Sequence, residues 1–126
     1  MSQRMNDVAV IGLGVMGANL ARNFASRGLK VAIYNRTHDT ARALAAAHPE
    51  ANFAAAASLK DLVQNLERPR RLILMVNAGA PVDSVIDDLA PLLETGDLIV
   101  DAGNSLYLDS DRRIARAKGQ PWRFVG

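Results

Sequence analysis

Short apolar runs alternate with longer amphipathic stretches along almost the whole chain. The short runs predict β-strands, and the stretches in which apolar residues recur every three or four positions predict helices. This alternation is typical of an α/β fold, and we expect a doubly wound, mostly parallel six-stranded sheet with helices on both faces. Strands are predicted near 7–12, 31–35, 72–77, 97–102 and 123–126, with a weak one near 52–54, and helices near 15–27, 38–47, 59–66, 81–93 and 110–118.

The first strand runs directly into a glycine-rich turn, Gly12–Leu13–Gly14–Val15–Met16–Gly17, which opens the first helix. In a Rossmann-type unit the first glycine permits the tight turn, the second lets a pyrophosphate approach the backbone, and the third lets the helix pack close to the sheet. The helix N-terminus offers free N–H groups to the phosphates. The motif therefore predicts a dinucleotide site, although a purely steric glycine turn would have the same sequence.

The first helix carries its own packing signal. Met16, Leu20 and Phe24 recur at helical spacing with two alanines, and this predicts that they lie on one buried stripe. Gly28 stands where a glycine would end the helix. A second strand follows at once, so a complete strand–helix–strand unit is expected.

The residues after the second strand bear on the choice between the two nicotinamide cofactors. This position faces the adenosine ribose, and an acidic residue there would repel a 2′-phosphate. The chain has Asn35, Arg36 and Thr37 instead, and no carboxylate before Asp39. A guanidinium can stack on adenine and donate to phosphate, so the triplet favours NADP. The alternative is that Arg36 is an ordinary surface arginine.

Two more loops follow strands that should end at the same edge of the sheet. The first is Met75–Val76–Asn77–Ala78–Gly79 and the second is Asp101–Ala102–Gly103–Asn104–Ser105. Ligands of doubly wound folds lie across this edge. We expect the first loop to approach the cofactor through its backbone and Asn104 to hydrogen-bond a ribose or a substrate hydroxyl. Simple turn chemistry of glycine and asparagine explains both loops equally well.

Composition narrows the function classes. The 126 residues suffice for one domain, and the absence of cysteine excludes disulfides and thiolate nucleophiles. The net charge of +2 is small, and we interpret the one basic cluster, residues 68–71, as a solvated loop rather than a nucleic-acid site. No stretch has the apolar length of a membrane span or a secretion signal, so a cytoplasmic location and no membrane partner are expected. No metal site is predicted.

Together these motifs resemble the amino-terminal part of the 6-phosphogluconate dehydrogenase family. The matching segments keep their order along the chain: Gly12–Gly17 with Asn19–Leu20, Tyr34–Thr37, Pro69–Arg71 before Leu74–Val76, Ala78–Gly79, Val82–Asp83, Gly96–Asp97, Gly103–Ser105, Tyr107, Asp109, Arg112–Arg113 and Phe124–Gly126. The resemblance implies cofactor contacts at Gly12, Leu13, Gly14, Val15, Met16, Gly17, Asn35, Arg36, Thr37, Val76, Asn77, Ala78 and Asn104, with Asn104 also touching the sugar acid. Two positions depart from the family pattern, since Asn77 replaces a usual lysine and Ala102 a usual glycine.

The resemblance also implies an activity, the NADP-dependent oxidative decarboxylation of 6-phosphogluconate to ribulose 5-phosphate in the pentose phosphate pathway, by a homodimer when the enzyme is full-length. The family's catalytic lysine and glutamate have no counterpart here, and they would follow Gly126. We therefore expect residues 1–126 to be an NADP-binding domain without catalytic residues, separate from a helical catalytic domain and inactive alone. Two alternatives stay open: another β-hydroxyacid dehydrogenase, of the 3-hydroxyisobutyrate or glyoxylate type, and a non-catalytic NADP-binding module.

Overall fold

The computed structural model describes residues 5–76, 80–103 and 107–126. Strands and helices alternate along the chain, and two short 3₁₀ turns, Pro49–Ala51 and Ala90–Leu92, follow the second and fourth helices. The strands are β1 Val8–Ile11, β2 Val31–Tyr34, β3 Ala54–Ala55, β4 Arg71–Leu74, β5 Leu98–Asp101 and β6 Arg123–Val125. The helices are α1 Val15–Ser26, α2 His38–Ala47, α3 Leu59–Gln64, α4 Ala80–Leu89 and α5 Tyr107–Ala117.

The six strands form one sheet in the order β3-β2-β1-β4-β5-β6, and every pair is parallel. In β1, Val10 lies beside Ile33 of β2 on one side and Ile73 of β4 on the other. The order reverses at β1, so the carboxyl ends of β1 and β4 flank a crevice. The predicted doubly wound fold is confirmed.

Two apolar cores cover the two faces of the sheet. Val8 and Val10 of β1 pack with Ala21 of α1 and Ala41 of α2. The alternate residues of β1, Ala9 and Ile11, pack in a second core with side chains of α3, α4 and α5 that include Leu62, Ile86 and Ala117. Because successive strand residues point to opposite faces, the sheet is covered by helices on both sides, as predicted.

The predicted stripe of α1 is confirmed at Ala21, Phe24 and Ala25, which pack in the core, and is wrong at Met16. Met16 is 71% exposed, and the fully buried positions of the helix are Gly17 and Ala21. The helix approaches the sheet so closely at Gly17 that only very small residues fit at the contact, and larger apolar side chains stand beside it. The end of the helix is as predicted. Gly28, at φ 89°, ends it with hydrogen bonds from Gly28 N–H to Ala25 O (3.0 Å) and from Leu29 N–H to Phe24 O (3.2 Å).

The weak third strand lies slightly later than the predicted 52–54. Asn52 has left-handed backbone, φ 54°, and turns the chain after the 3₁₀ turn, so pairing with β2 begins only at Ala54. The strand is therefore only two residues long, Ala54–Ala55. It is a very short edge strand, which limits the exposed backbone available for pairing with other chains.

The prediction of a solvated loop at residues 68–71 is wrong for Arg70. This side chain is 5% exposed, and its backbone N–H and Nη1 donate to the two carboxylate oxygens of Asp97 at 2.8 and 3.1 Å. Asp97 also accepts from the N–H of Glu94 (2.8 Å), so the pair fixes the amino ends of β4 and β5 to each other. The neighbouring Arg68 and Arg71 are exposed. Among the described helices, none is long and apolar enough to cross a membrane.

Candidate nucleotide-binding site

A groove of about 860 Å³ lies at the carboxyl edge of the sheet, where the strand order reverses. Its walls are the glycine turn, the ends of β2 and β4 and one side of α4. The lining includes six of the residues predicted to contact the cofactor, namely Gly12, Leu13, Gly14, Asn35, Arg36 and Val76. Sequence reasoning did not identify the opposite wall, formed by Pro81, Ser84, Val85 and Asp88 of α4.

Two of the three glycines in the turn are required by the fold itself. Gly12 has φ 97°, and a Cβ there would lie 2.6 Å from the carbonyl oxygen of Met75. A Cβ at Gly17 would overlap the carbonyl oxygen of Gly12. Neither position has room for a side chain, because the turn, β4 and α1 are packed directly against one another.

Gly14 is different, because the folded chain does not require a glycine there. It has ordinary backbone angles, φ −66° and ψ −172°, and a Cβ would meet no described atom within 4 Å. Gly14 is exposed and caps α1, whose first intrahelical hydrogen bond runs from Ala18 N–H to Gly14 O (2.9 Å). The N–H groups of residues 15–17 precede that bond, so they are available to an anion. The space above Gly14 is therefore free of described protein atoms and lies beside these N–H groups.

The side chain of Asn35 connects the end of β2 to the glycine turn. Its Oδ1 accepts a hydrogen bond from the N–H of Leu13 (2.9 Å), and its Nδ2 donates to the carbonyl oxygen of Thr37 (3.3 Å). The N–H of Gly12 bonds to Tyr34 O (2.9 Å) in the same region. Asn35 therefore holds the shape of the groove in addition to facing it, a role that the sequence did not indicate.

The start of α2 carries the features expected of a phosphate site. Arg36 is exposed beside the groove and pairs with none of the described carboxylates. Thr37 is the exposed N-cap of α2, and its hydroxyl makes no hydrogen bond to the helix. The first carboxylate in this region, Asp39, lies 3.6 Å from Arg42 on the helix surface.

A charged cluster that the sequence did not reveal joins α4, the end of β5 and α5. Arg113 of α5 is 1% exposed and donates from Nε and Nη2 to Asp83 of α4 at 2.9 and 3.2 Å. Its Nη1 lies 3.6 Å from the carboxylate of Asp101, which also accepts from the N–H of Gly103 (3.1 Å). Hydrogen bonds from Arg113 and then Arg112 hold the pKa of the Asp83 carboxyl far below its ordinary value.

Several predicted positions fall elsewhere. Val15 and Met16 are 80% and 71% exposed at the start of α1, next to the turn. Asn77, Ala78 and Asn104 lie outside the described residues. In the part of the chain that the structure describes, no group of three or more histidine, aspartate or glutamate side chains could hold a metal ion.

A glycine turn at the switch point, a helix N-terminus beneath open space and an arginine beyond β2 define a dinucleotide-binding domain of the Rossmann type. Comparison with known proteins gives the family. The chain belongs to the family described as the NAD binding domain of 6-phosphogluconate dehydrogenase, whose model matches residues 7–126.

Three similar proteins illustrate the match. A decarboxylating 6-phosphogluconate dehydrogenase of Bacillus licheniformis is 50% identical over 121 residues, 96% of this chain and 26% of the relative. An NAD(+)-dependent, decarboxylating 6-phosphogluconate dehydrogenase of Bacillus subtilis is 48% identical over 121 residues, with the same coverage. The solved structure of Plasmodium falciparum 6-phosphogluconate dehydrogenase superposes with a TM-score of 0.87 at 37% identity, covering 94% of this chain and 26% of that one. The chain thus spans about a quarter of the length of these relatives.

Proposed function

We propose that this chain is the NADP-binding part of a 6-phosphogluconate dehydrogenase that oxidises and decarboxylates 6-phosphogluconate. The bound nucleotide supplies the hydride acceptor. The chain's own residues bind and orient it: the turn Gly12–Gly17 takes the pyrophosphate, residues 35–37 take the adenosine half, and the loops after β4 and β5 take the nicotinamide half. The contacts proposed for Asn77, Ala78 and Asn104, and that of Asn104 with the sugar acid, rest on the resemblance of their loops to the family.

One observation carries the nucleotide proposal. Gly12 and Gly17 are glycines because the fold leaves no room for a Cβ, but Gly14 has ordinary backbone angles and open space above it. A glycine that the folded chain does not need is explained by a ligand that occupies the space. The purely steric interpretation of the motif accounts for the first two glycines and leaves the third without a reason.

The preference for NADP over NAD rests on charge at the end of β2. Asn35 stands where a carboxylate would exclude a 2′-phosphate, and Arg36 and Thr37 offer donors beside it. A hydrogen bond to a charged group contributes about 1.5–3 kcal/mol, which corresponds to about ten- to a hundredfold in affinity. Because one of the similar proteins is named as NAD(+)-dependent, the preference has to be measured on this chain.

The test is a calorimetric titration of the chain with NADP⁺ and with NAD⁺, repeated for Arg36→Ala. We expect NADP⁺ to bind at least about tenfold more tightly than NAD⁺, and Arg36→Ala to remove most of that difference. The affinity for NAD⁺ should fall less than that for NADP⁺, because NAD⁺ has no 2′-phosphate for the guanidinium to contact and loses only the stacking on adenine.

The matched control is Arg42→Ala. Arg42 is an exposed arginine of α2, the helix that follows Arg36; it lies near Asp39 and does not line the groove. Its removal should leave both affinities unchanged. Equal binding of the two nucleotides by the unaltered chain would contradict the NADP assignment, and binding of neither would contradict the nucleotide site itself.

A further inference from the structure

We infer that Asp83, Asp101 and Arg113, here called the Arg113 clamp, position the described backbone at the two strand ends proposed to face the nicotinamide half of the cofactor. The two segments meant are residues 75–76 after β4 and residues 102–103 after β5. Arg113 acts through the backbone of these segments and is a positioning residue. The inference rests on the proposed function, since it concerns how the groove holds the far half of the nucleotide.

The clamp joins three elements that border the two segments. Asp83 lies in the first turn of α4, the helix that follows β4 in the chain. Asp101 is the last residue of β5, and Arg113 lies in α5, after the segment that follows β5. The guanidinium of Arg113 therefore contacts two elements at once. One is Asp101, which precedes the segment after β5, and the other is α4, which follows the segment after β4. Its planar, forked donors suit this arrangement, because they can meet two carboxylates from different directions.

The clamp reaches the groove through Gly103. Asp101 accepts a hydrogen bond from the N–H of Gly103, which fixes the first residues after β5. At Gly103 a Cβ would lie 2.9 Å from the carbonyl oxygen of Val76, so the backbones leaving β4 and β5 are in close contact. Val76 lines the groove. A shift of Asp101 would thus move Gly103 and, through it, the wall formed by Val76.

Because the Arg113 clamp is buried, the position of its side chains should respond strongly to a change of charge. The side chains of Arg113 and Asp101 are each 1% exposed, so a change in the charge of the cluster is costly in these surroundings. The backbone is expected to rearrange to hydrate the remaining charge. The adenosine side of the groove lies at the end of β2, which β1 and β4 separate from β5 in the sheet.

The experiment compares two probes on the chain, NADP⁺ and adenosine 2′,5′-bisphosphate, which carries only the adenosine half. The variants are Arg113→Lys and Asp83→Asn, both of which keep the approximate shape of the side chain. We expect NADP⁺ to bind at least about tenfold more weakly to both variants and the bisphosphate to bind within about twofold of the unaltered chain, because only the nicotinamide half meets the displaced segments.

The matched control is Arg112→Met. Arg112 is adjacent in sequence and also pairs with Asp83 (2.9 Å), but its side chain is 56% exposed. This variant should bind both probes as the unaltered chain does. Unchanged NADP⁺ affinity in folded Arg113→Lys and Asp83→Asn would overturn the inference. An equal loss of affinity for both probes would also overturn it, because the cluster would then contribute only to the general stability of the fold.

Amide hydrogen exchange provides a readout that needs no ligand. In Asp83→Asn the N–H groups of Gly103 and Ala102 should exchange faster, while those of β1 and β2 keep their protection. Unchanged exchange at Gly103 would overturn the clamp even if no nucleotide bound. Exchange could also change as expected while the unaltered chain binds neither probe. The role of the clamp in fixing the two segments would then be supported, and the proposed nucleotide-binding function would be contradicted.

Discussion

At the scale of single residues, the three glycines of the turn have separate physical causes. Gly12 is required by its positive φ and its contact with β4, and Gly17 by the approach of α1 to the turn. Gly14 meets no such requirement among the described residues. Substitution by alanine should therefore separate the stability of the chain from its affinity for nucleotide.

For Gly14→Ala we expect a free energy of unfolding within about 1 kcal/mol of the unaltered chain, because the backbone angles suit alanine and nothing is displaced. NADP⁺ affinity should fall at least about tenfold, since the methyl group occupies the space proposed for the pyrophosphate. Urea denaturation and calorimetry measure the two quantities.

Gly17→Ala is the contrasting variant. Its methyl group would overlap a backbone carbonyl, so we expect a loss of about 1–3 kcal/mol or more of stability before any nucleotide is added. If Gly14→Ala bound NADP⁺ as tightly as the unaltered chain, the assignment of the pyrophosphate position would be wrong.

At the scale of elements, the ion pair between α4 and α5 should make stability depend on pH. Arg113 and Arg112 lower the pKa of Asp83 in the folded chain below its ordinary value of 3.8. A carboxyl group with a lowered folded pKa stabilises the fold above its unfolded pKa and loses that contribution as the pH falls towards the folded pKa.

The prediction compares the unaltered chain with Asp83→Asn by urea denaturation between pH 3 and pH 7. The difference in unfolding free energy should be constant above about pH 5 and shrink as the pH falls below about 4, since the unfolded carboxyl becomes protonated there. Arg116→Ala, which removes an exposed pair with Asp87, should show almost no such pH dependence. A difference that grew in acid would contradict the assigned direction of the pKa shift.

The strands and helices were predictable because their signals are local. Apolar periodicity and the glycine at position 28 gave the elements in their observed order. Sequence did not reveal that Arg70 is buried, because its partner Asp97 lies 27 residues away. The exposure of Met16 was missed for a related reason: helical periodicity does not show how closely the helix approaches the sheet, and a close approach leaves only small residues at the contact.

The site was predictable where a motif has a fixed geometry and not where it depends on contacts between elements. The glycine turn, Asn35, Arg36 and Val76 lie around the groove as expected. The bond between Asn35 and Leu13, the wall formed by α4 and the Arg113 clamp involve residues far apart in sequence. Such contacts follow from the packing of the sheet and helices, which a single sequence does not display.

At the scale of the whole molecule, we expect the chain to bind nucleotide without catalysing turnover. None of its three lysines lines the groove. Lys30, which precedes β2, donates from Nζ to the carbonyl oxygen of Asn52, Lys60 lies on α3, and Lys118 follows α5. The family resemblance implies that a lysine accepts the proton of the reacting hydroxyl, and none of these three lysines lines the groove. The purified chain with NADP⁺ and 6-phosphogluconate should form no NADPH, measured by absorbance.

A full-length 6-phosphogluconate dehydrogenase, assayed under the same conditions, serves as the positive control. NADPH formation by the chain that increases with its concentration and disappears in Arg36→Ala would contradict this prediction. It would place the chemistry within these 126 residues.

The strand order also bears on how the sheet assembles during synthesis. β2 joins β1, β3 joins β2, β4 joins the free side of β1, and β5 and β6 follow outward. Each strand that leaves the ribosome therefore finds an open edge made earlier, and none has to insert between two strands that are already paired. The sheet can therefore grow in the order of translation, first on the β2 side of β1 and then on the β4 side.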